Sequence, residues 1–143
     1  EHGDTSFIPW SGAYVSGVSL DEYYETVEKM GRDVTKIDKD AMLEYVRTSG
    51  GQVIANKGAT FYAVSVAVCK LVATILSSSD SVATVSSMMH GEYGIEDVCL
   101  STLTLVGPKG VQGKIPMRMT KEEVEKLKAS ADALKAVIAQ IEH

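Results

Sequence analysis

The fold class is indicated most clearly by residues 81–117, SVATVSSMMHGEYGIEDVCLSTLTLVGPKGVQGKIPM. Residues 82–89 combine β-branched and apolar side chains in the manner of one strand. A second strand is marked by the apolar residues Val98, Leu100, Leu103 and Leu105. The alternation of this second strand slips near Thr102, which predicts a β-bulge there.

A third strand completes the same stretch. Gly107-Pro108-Lys109-Gly110 has turn chemistry, and residues 111–117 are predicted to return as a strand with Pro116 near its end. Because the loop is short, the pairing should be antiparallel. The stretch therefore predicts an antiparallel β-meander.

Capping boxes mark the first and last helices. Ser19-Leu20-Asp21-Glu22 predicts a helix over residues 20–30 that stops at Gly31, followed by a polar linker at 32–38. Thr120-Lys121-Glu122-Glu123 opens a closing amphipathic helix. The apolar stripe of that helix consists of Val124, Leu127, Ala131, Leu134, Ile138 and Ile141.

Two further helices are predicted between the linker and the meander. The first is interrupted by Gly50-Gly51, which cost roughly 2 kcal/mol relative to alanines and indicate either close backbone packing or a local bend. It stops or kinks at Asn56-Lys57-Gly58, and Thr60 opens a second helix that runs to Leu76. That helix should be mostly buried, through Val64, Ala67, Val68, Leu71, Val72 and Ile75.

Helices, a β-meander and a final helix define an α+β class, with helices packed on an antiparallel meander. The chain of 143 residues is expected to form a single domain over residues 1–143. Neither a βαβ unit nor a GxGxxG dinucleotide fingerprint is present, since Gly91-Glu92-Tyr93-Gly94 has the wrong spacing.

Composition narrows the functional classes. The net charge is −5 without a basic cluster, so nucleic acid is not expected as a partner. No apolar run approaches the ~20 residues of a membrane span, because residues 61–76 are interrupted by Ser65 and Lys70. Cys69 and Cys99 fit no zinc or redox spacing, so we expect no metal. We therefore interpret both cysteines as buried free thiols of a protein in a reducing, cytoplasmic compartment.

Three histidines are the candidates for acid–base chemistry. His143 is terminal and expected to be solvated, and His90 is expected to be a surface loop residue. His2 is followed by Gly3, which permits close approach of the backbone to a ligand, and by Asp4. A histidine can give and take a proton near neutral pH, which the reduction of a ketone to an alcohol requires.

At this point the chain resembles the L-lactate dehydrogenases of the lactate/malate dehydrogenase superfamily, in its carboxy-terminal, substrate-side domain. Glu1-His2-Gly3-Asp4-Thr5 is similar to the active-site signature of that family. Further similar segments follow in order and at matching spacing over essentially the whole chain. They are Trp10-Ser11, Val15-Ser16-Gly17-Val18, the segments 57–62, 91–98 and 107–111, and Thr120-Lys121-Glu122-Glu123.

The resemblance implies a role for three residues. His2 would be the proton donor and acceptor, protonated for pyruvate reduction and neutral for L-lactate oxidation. Thr60 would line the substrate pocket, although it could also cap the helix that follows it. Val64 would form an apolar wall against the nicotinamide of NAD. Asp4 is not the aspartate that orients the imidazole in this family.

The resemblance also implies what lies elsewhere. In the family, NAD is bound mainly by an N-terminal nucleotide-binding domain, and the substrate-clamping arginine, the mobile-loop arginine and the orienting aspartate also precede the histidine signature. None of these is in this chain, which reads as a fragment, and its arginines Arg32, Arg47 and Arg118 match no family site position. Many relatives carry a bulkier pair at Gly50-Gly51. The family forms homotetramers or dimers, so a homo-oligomer is expected.

Three functions remain open from the sequence. The first is one half of a cytoplasmic, NAD-dependent L-lactate dehydrogenase of glycolysis and fermentation, with the isolated chain inactive. The second is a dehydrogenase for malate or a bulkier 2-hydroxy acid, although Trp10-Ser11 favours lactate. The third is a folded but catalytically inert fragment.

Overall fold

The computed structural model describes residues 5–141. His2, Asp4 and His143, which the sequence analysis singled out, lie outside these described residues. Two short strands, β1 (Tyr14–Val15) and β2 (Val18–Ser19), form a small antiparallel pair after a 3-10 turn at Trp10–Gly12. The remaining elements of the described chain are four α-helices, a three-stranded sheet and a second 3-10 turn at Glu92–Gly94.

The predicted meander is confirmed. Strands β3 (Ser81–His90), β4 (Glu96–Gly107) and β5 (Gly110–Lys114) pair antiparallel in the order β3-β4-β5. The third strand is shorter than the predicted 111–117. Ile115 N still donates to Leu103 O at 2.8 Å, but Pro116 has no N–H with which to continue the ladder.

The bulge predicted near Thr102 is wrong. Thr102 pairs in regular register with Val85, and the irregularities lie at Met88/His90 and at Leu105/Val106. The inward alternation continues through Thr104, which is fully buried. Its hydroxyl donates to Thr102 O at 3.0 Å, which satisfies the polar group in the core. A break in the alternation was expected here because Thr104 is a polar residue between Leu103 and Leu105, yet Thr104 occupies an ordinary inward position.

Two helices begin at the predicted caps. Helix α1 (Leu20–Lys29) begins after Ser19, whose Oγ accepts from Glu22 N at 3.3 Å, and the chain turns at Gly31 with a positive φ. Helix α4 (Lys121–Ile141) has the complete capping box. Glu123 N donates to Thr120 Oγ1 at 3.2 Å, and Thr120 N donates to Glu123 Oε2 at 2.8 Å.

A sharply bent helix pair precedes the sheet. Helix α2 (Lys39–Lys57) is capped by Asp38, whose Oδ1 accepts from two backbone N–H groups, and it ends at Gly58. Helix α3 (Tyr62–Leu76) leaves at 116° to it. Taken singly, no helix within residues 5–141 has both the length and the apolar character of a membrane span. Only α2 and α3 together, across their bend, reach that threshold.

The core lies between the meander and α4. It consists of Met89, Ile95, Val98, Leu100, Leu127 and Ala131, with Phe7, Tyr93, Met119 and Leu134 packed at its edge. Within α1, Tyr24 is buried and its phenol oxygen accepts from Ile37 N at 3.0 Å, which ties the linker at 32–38 to that helix. Burial is therefore concentrated at the sheet, α4 and the first half of α1.

The expected burial of α3 is wrong. Neither α2 nor α3 has a buried residue, and Val64, Val68 and Val72 are 56%, 52% and 46% exposed. The apolar face has no partner among residues 5–141 that covers it. Of the two interpretations of Gly50-Gly51, close backbone packing is not found, because nothing in the described structure lies within 4 Å of a Cβ placed on either residue.

The cysteines also differ from expectation. Cys69 and Cys99 are both free, as predicted, but both are exposed rather than buried. Cys69 lies on the uncovered α3, and Cys99 points away from the core on β4, between the buried Val98 and Leu100. The strand alternation accounts for the exposure of Cys99.

Candidate functional site

The candidate site is built around the break between α2 and α3. Gly58 ends α2 with φ of +79°, and its N–H donates to Ile54 O at 2.7 Å. This left-handed cap is a common helix terminator, and it turns the chain out of α2. The residues 58–61 then form a corner at the 116° bend. The bend brings the end of one helix and the start of the next to a single exposed corner.

Thr60 lies in this corner, but it does not cap α3. The N-cap is Phe61, which makes no side-chain cap hydrogen bond, so the predicted capping role is wrong. Instead, the N–H and the hydroxyl of Ser65 donate to Phe61 O at 3.0 and 2.6 Å. Thr60 is exposed, and its hydroxyl has no hydrogen-bond partner among residues 5–141. The hydroxyl is therefore available to a ligand.

Val64 lies on the first turn of α3, four residues after Thr60. Because residues four apart share a helix face, Val64 continues into an apolar stripe with Val68. Both side chains are more than half exposed. The structure thus gives Thr60 and Val64 neighbouring places at the corner, one with a free hydroxyl and the other with an uncovered apolar side chain.

Aromatic side chains stiffen the same corner. The rings of Phe61 and Tyr62 have centroids 4.6 Å apart and an interplanar angle of 49°. Lys57 Nζ lies 5.1 Å from the centroid of the Tyr62 ring, within the range of a cation–π interaction. The last residue of α2 therefore contacts the first residue of α3.

The segment that follows His2 is held between two helices. Arg47, in the middle of α2, donates from Nε to Ser6 Oγ at 3.3 Å and from a terminal nitrogen to Ser6 O. On the other side, Thr5 Oγ1 and Ser130 Oγ of α4 lie 3.1 Å apart and share a hydrogen bond. The first described residues thus lie against the helix that leads to the Thr60 corner.

The next turn of the chain is fixed by a carboxylate from α4. Glu123 Oε1 accepts from Ser11 N at 3.0 Å, and Oε2 accepts from Thr120 N and is in short contact with Ser11 Oγ. The Ser11 hydroxyl also lies 2.8 Å from Arg118 O, so its single proton is shared. Burial alone would raise the pKa of Glu123, but the bonds from Ser11 and Thr120 outweigh it and lower that pKa.

The second histidine lies at another place in the fold. His90 is exposed at the end of β3, and its backbone N–H donates to Glu92 Oε2 at 2.7 Å. That bond is the main cause of the lowered pKa of Glu92. The expected exposure of His90 is confirmed, but the expected loop position is wrong, because His90 is the last residue of β3 and pairs with Glu96. Within residues 5–141, no group of three or more His, Cys, Asp or Glu side chains could hold a metal ion.

Sequence reasoning missed two residues around this site. Arg47 carried no local signal, because its contact with Ser6 joins positions 41 residues apart. Glu123 was recognised as half of a capping box, but its second contact, with Ser11 112 residues away, was not expected. From the sequence, the position of this turn was indicated solely by the similarity of Trp10-Ser11 to a family pattern.

The model of the α/β C-terminal domain of lactate/malate dehydrogenases matches residues 1–143. Together with the broken helix pair and the antiparallel meander, this match identifies the chain's class as a dehydrogenase C-terminal domain. The chain belongs to the lactate/malate dehydrogenase family and corresponds to its C-terminal domain.

Curated relatives agree with this assignment. The chain is 36% identical over 142 residues to the L-lactate dehydrogenase of Acetivibrio thermocellus, covering 99% of this chain and 44% of that protein. It is 40% identical to the L-lactate dehydrogenase of Thermoanaerobacterium saccharolyticum, covering 99% and 45%. The chain therefore spans less than half the length of the curated relatives it matches.

Solved structures show the same fold. The minor L-lactate dehydrogenase of Enterococcus mundtii, in a ligand-bound form, superposes with a TM-score of 0.87 at 29% identity, covering 99% of this chain and 44% of that one. The malate dehydrogenase of Archaeoglobus fulgidus, in complex with NADH, gives a TM-score of 0.70 at 28% identity, covering 77% and 37%. The predicted α+β class is thus confirmed.

Proposed function

We propose that this chain is the substrate-side domain of an NAD-dependent L-lactate dehydrogenase, which catalyses pyruvate + NADH + H⁺ ⇌ L-lactate + NAD⁺. The observation that carries the proposal is the exposed corner of Thr60 and Val64 in a chain matched along its whole length by L-lactate dehydrogenases. The corner offers a hydroxyl and an apolar surface together, as a small polar substrate beside a flat cofactor ring requires.

The residues at the corner fit a nicotinamide cofactor. Val64 is 56% exposed on the first turn of α3 and presents apolar surface without a competing polar group of its own. Bound NADH would supply the reducing equivalents for the reaction. Val64 would pack against the nicotinamide ring and exclude water from that side, while most contacts to NAD would come from a nucleotide-binding domain outside this chain.

Thr60 would bind the substrate. Its hydroxyl can both donate and accept a hydrogen bond, and it has no hydrogen-bond partner among residues 5–141. We expect it to hydrogen-bond near the carboxylate of pyruvate or lactate. The corner itself, fixed by Gly58 and by the Lys57–Tyr62 contact, would orient that bond.

His2 would deliver the proton to the carbonyl oxygen of pyruvate and remove it from lactate. The support for this role is the similarity of Glu1-His2-Gly3-Asp4-Thr5 to the family's active-site signature, together with the family match over residues 1–143.

A malate dehydrogenase is the second candidate, favoured by the structural match to the Archaeoglobus fulgidus enzyme. Pyruvate and oxaloacetate differ by one carboxylate, so relative kcat/KM values on the two acids distinguish the candidates. We expect pyruvate to be preferred. A catalytically inert fragment is the third, and we propose that the isolated chain is indeed inactive, since the proton donor alone lacks a cofactor and a substrate clamp.

We further propose that the complete enzyme is cytoplasmic and homo-oligomeric. Two free thiols are compatible with a reducing compartment. The uncovered apolar side chains of α2 and α3 favour association with further protein surface. Sedimentation of the enzyme would report its oligomeric state.

The test joins this chain to the segment that precedes the corresponding domain in the Acetivibrio thermocellus enzyme. We expect NADH-dependent reduction of pyruvate by this chimera. His2→Ala should lower kcat by about a thousandfold, within the usual contribution of general acid–base catalysis, while the Kd for NADH stays near its original value. The isolated chain and His90→Ala, which removes the exposed histidine at the end of β3, are the controls.

Two results would contradict the proposal. One is a chimera that binds NADH but turns over neither pyruvate nor oxaloacetate. The other is a His2→Ala variant with near-normal kcat, which would remove His2 from the reaction. A faster rate on oxaloacetate would instead establish the malate alternative.

A further inference from the structure

A cavity of about 110 Å³ lies between the start of the described chain, strand β4, the loop that follows β5 and helix α4. Leu100 and Leu127, which belong to the hydrophobic core, form part of its wall. Phe7, Tyr93 and Met119 pack against that core and line the cavity as well. The cavity therefore lies at the edge of the core and is bounded by side chains that are themselves well packed.

Most side-chain hydroxyls around the cavity have hydrogen-bond partners within the chain. Ser130, which is 2% exposed, shares a hydrogen bond with Thr5 at 3.1 Å. The lining residues whose hydroxyls are bonded are Thr5, Ser6, Tyr93, Thr102 and Ser130. The other lining hydroxyl among the described residues belongs to Ser101, which is exposed. Because a buried water needs roughly two to four polar partners, these walls favour an apolar occupant.

The size and the walls of the cavity define the class of ligand. Apolar cavities of about 150 Å³ stay dry and bind benzene or xenon, and the volume here is about 110 Å³. Met117 and Met119 supply flexible, polarisable side chains that adapt to an occupant. Within residues 5–141, no Lys, Arg, Asp or Glu lines the cavity, so a charged ligand would find no counter-ion there. The ligand that fits is therefore small, uncharged and apolar.

We propose that this cavity binds a small, uncharged apolar molecule of the size of a benzene ring. An occupant would contact the start of the described chain, β4, the loop after β5 and α4, and would therefore stabilise the folded state. Neither Thr60 nor Val64 lines the cavity. The inference therefore does not depend on the proposed dehydrogenase function.

Benzene is the probe, and methionine methyl groups report where it binds. In the chain isotopically labelled at these methyl groups, we expect the NMR signals of Met117 and Met119 to shift as benzene is added and to reach a plateau. Met30, which is 69% exposed at the end of α1, is the internal control and should show no saturable shift. Benzene should also raise Tm with concentration, because a ligand that binds only the folded state stabilises it by mass action.

Two matched substitutions in α4 test the location. Leu127→Phe places a larger side chain in the wall of the cavity and should abolish both the saturable shifts and the rise in Tm. Leu134→Phe makes the same change on the same helix, at a residue that packs against the core without lining the cavity. It should leave benzene binding unchanged. If Leu127→Phe does not fold, a crystal of the unaltered chain under xenon pressure replaces it, and xenon is expected between Phe7 and Leu127.

Several results would overturn the inference. Shifts at Met117 and Met119 that stay linear in benzene concentration, or equal shifts at Met30, would indicate contact with the surface alone. Unchanged binding by Leu127→Phe, or a xenon-pressurised crystal without xenon in the cavity, would exclude the site. Loss of binding in both phenylalanine variants would also exclude it, since the effect would not depend on the cavity wall. None of these results affects pyruvate reduction by the chimera, so the proposed function is tested separately.

Discussion

The meander with α4 and the bent pair of α2 and α3 are built on opposite principles. The first region contains the hydrophobic core, with Met89 and Leu100 at 0% exposure, although side chains on its outer faces, such as Val82 and Ile141, are exposed. The second region has no buried residue in either helix, although α3 is strongly apolar and more so than α2. The meander and α4 therefore supply the packed core of the described residues, whereas the helix pair leaves apolar side chains uncovered for contacts with other groups.

A substitution in the core should have the strongest effect on the free energy of unfolding. It tests whether the meander and α4, and not the helix pair, provide the stability. Leu100→Ala removes a fully buried side chain from β4 and should lower the free energy of unfolding by about 2–5 kcal/mol. Val72→Ala, on the exposed face of α3, should change it by less than about 0.5 kcal/mol. Urea unfolding monitored by circular dichroism measures both. Equal losses for the two variants would show that α3 is covered in solution.

A smaller effect concerns the buried carboxylate at the start of α4. Glu123→Gln weakens the bonds from Ser11 and Thr120 and should cost about 1–3 kcal/mol at neutral pH, as for hydrogen bonds to charged groups. Because the pKa of Glu123 is lowered in the folded chain, the unfolded chain takes up the proton first as the pH falls. The stabilisation is therefore complete above the ordinary carboxyl pKa and is lost as the pH falls through the lowered value.

The neighbouring Glu122 provides the control for this pH dependence. It lies on the same helical turn but is exposed and forms a surface ion pair with Lys126 at 2.8 Å. Glu122→Gln should have a small effect on unfolding at every pH, as expected of surface ion pairs. If the deficit of Glu123→Gln persisted unchanged down to pH 2, the ionised carboxylate would not be the stabilising form.

The smallest effect compares two threonines that precede helices. Thr120→Ala removes the cap of α4 and should cost about 1 kcal/mol in unfolding. Thr60→Ala removes no cap, because α3 begins after Phe61 without one, so its effect on stability should stay within about 0.5 kcal/mol. In the chimera, however, Thr60→Ala should raise the KM for pyruvate. A loss of stability without a change in KM would assign Thr60 to the fold.

Local chemistry explains what the sequence could predict. Turn residues, capping boxes and helix-breaking glycines act over a few positions, so the meander, α1, α4 and the break at Gly58 were all predicted. Errors arose where the surroundings in the folded chain decide. Strand alternation places Thr104 on the core face of β4, where Thr102 O accepts a hydrogen bond from its hydroxyl. Helix α3 is exposed because nothing among residues 5–141 covers its apolar face.

The candidate site divides in the same way. Thr60 and Val64 could be named from the sequence through a family resemblance, and the structure gives them neighbouring places at one corner. His2 lies outside the described residues, so its role stays a prediction. Arg47 could not have been found, since its partner Ser6 is 41 positions away and no pattern in α2 distinguishes it from an ordinary surface arginine.

The corner between the two helices depends on the left-handed backbone conformation of a single residue, Gly58. Gly58 has φ of +79°, yet nothing in the described structure lies within 4 Å of the place where a Cβ would be. Space is therefore not what demands glycine here; the mirror-image backbone torsion is. A D-alanine would suit position 58, whereas an L-alanine would strain it. The direction in which α3 leaves α2 is thus encoded in stereochemistry rather than in packing.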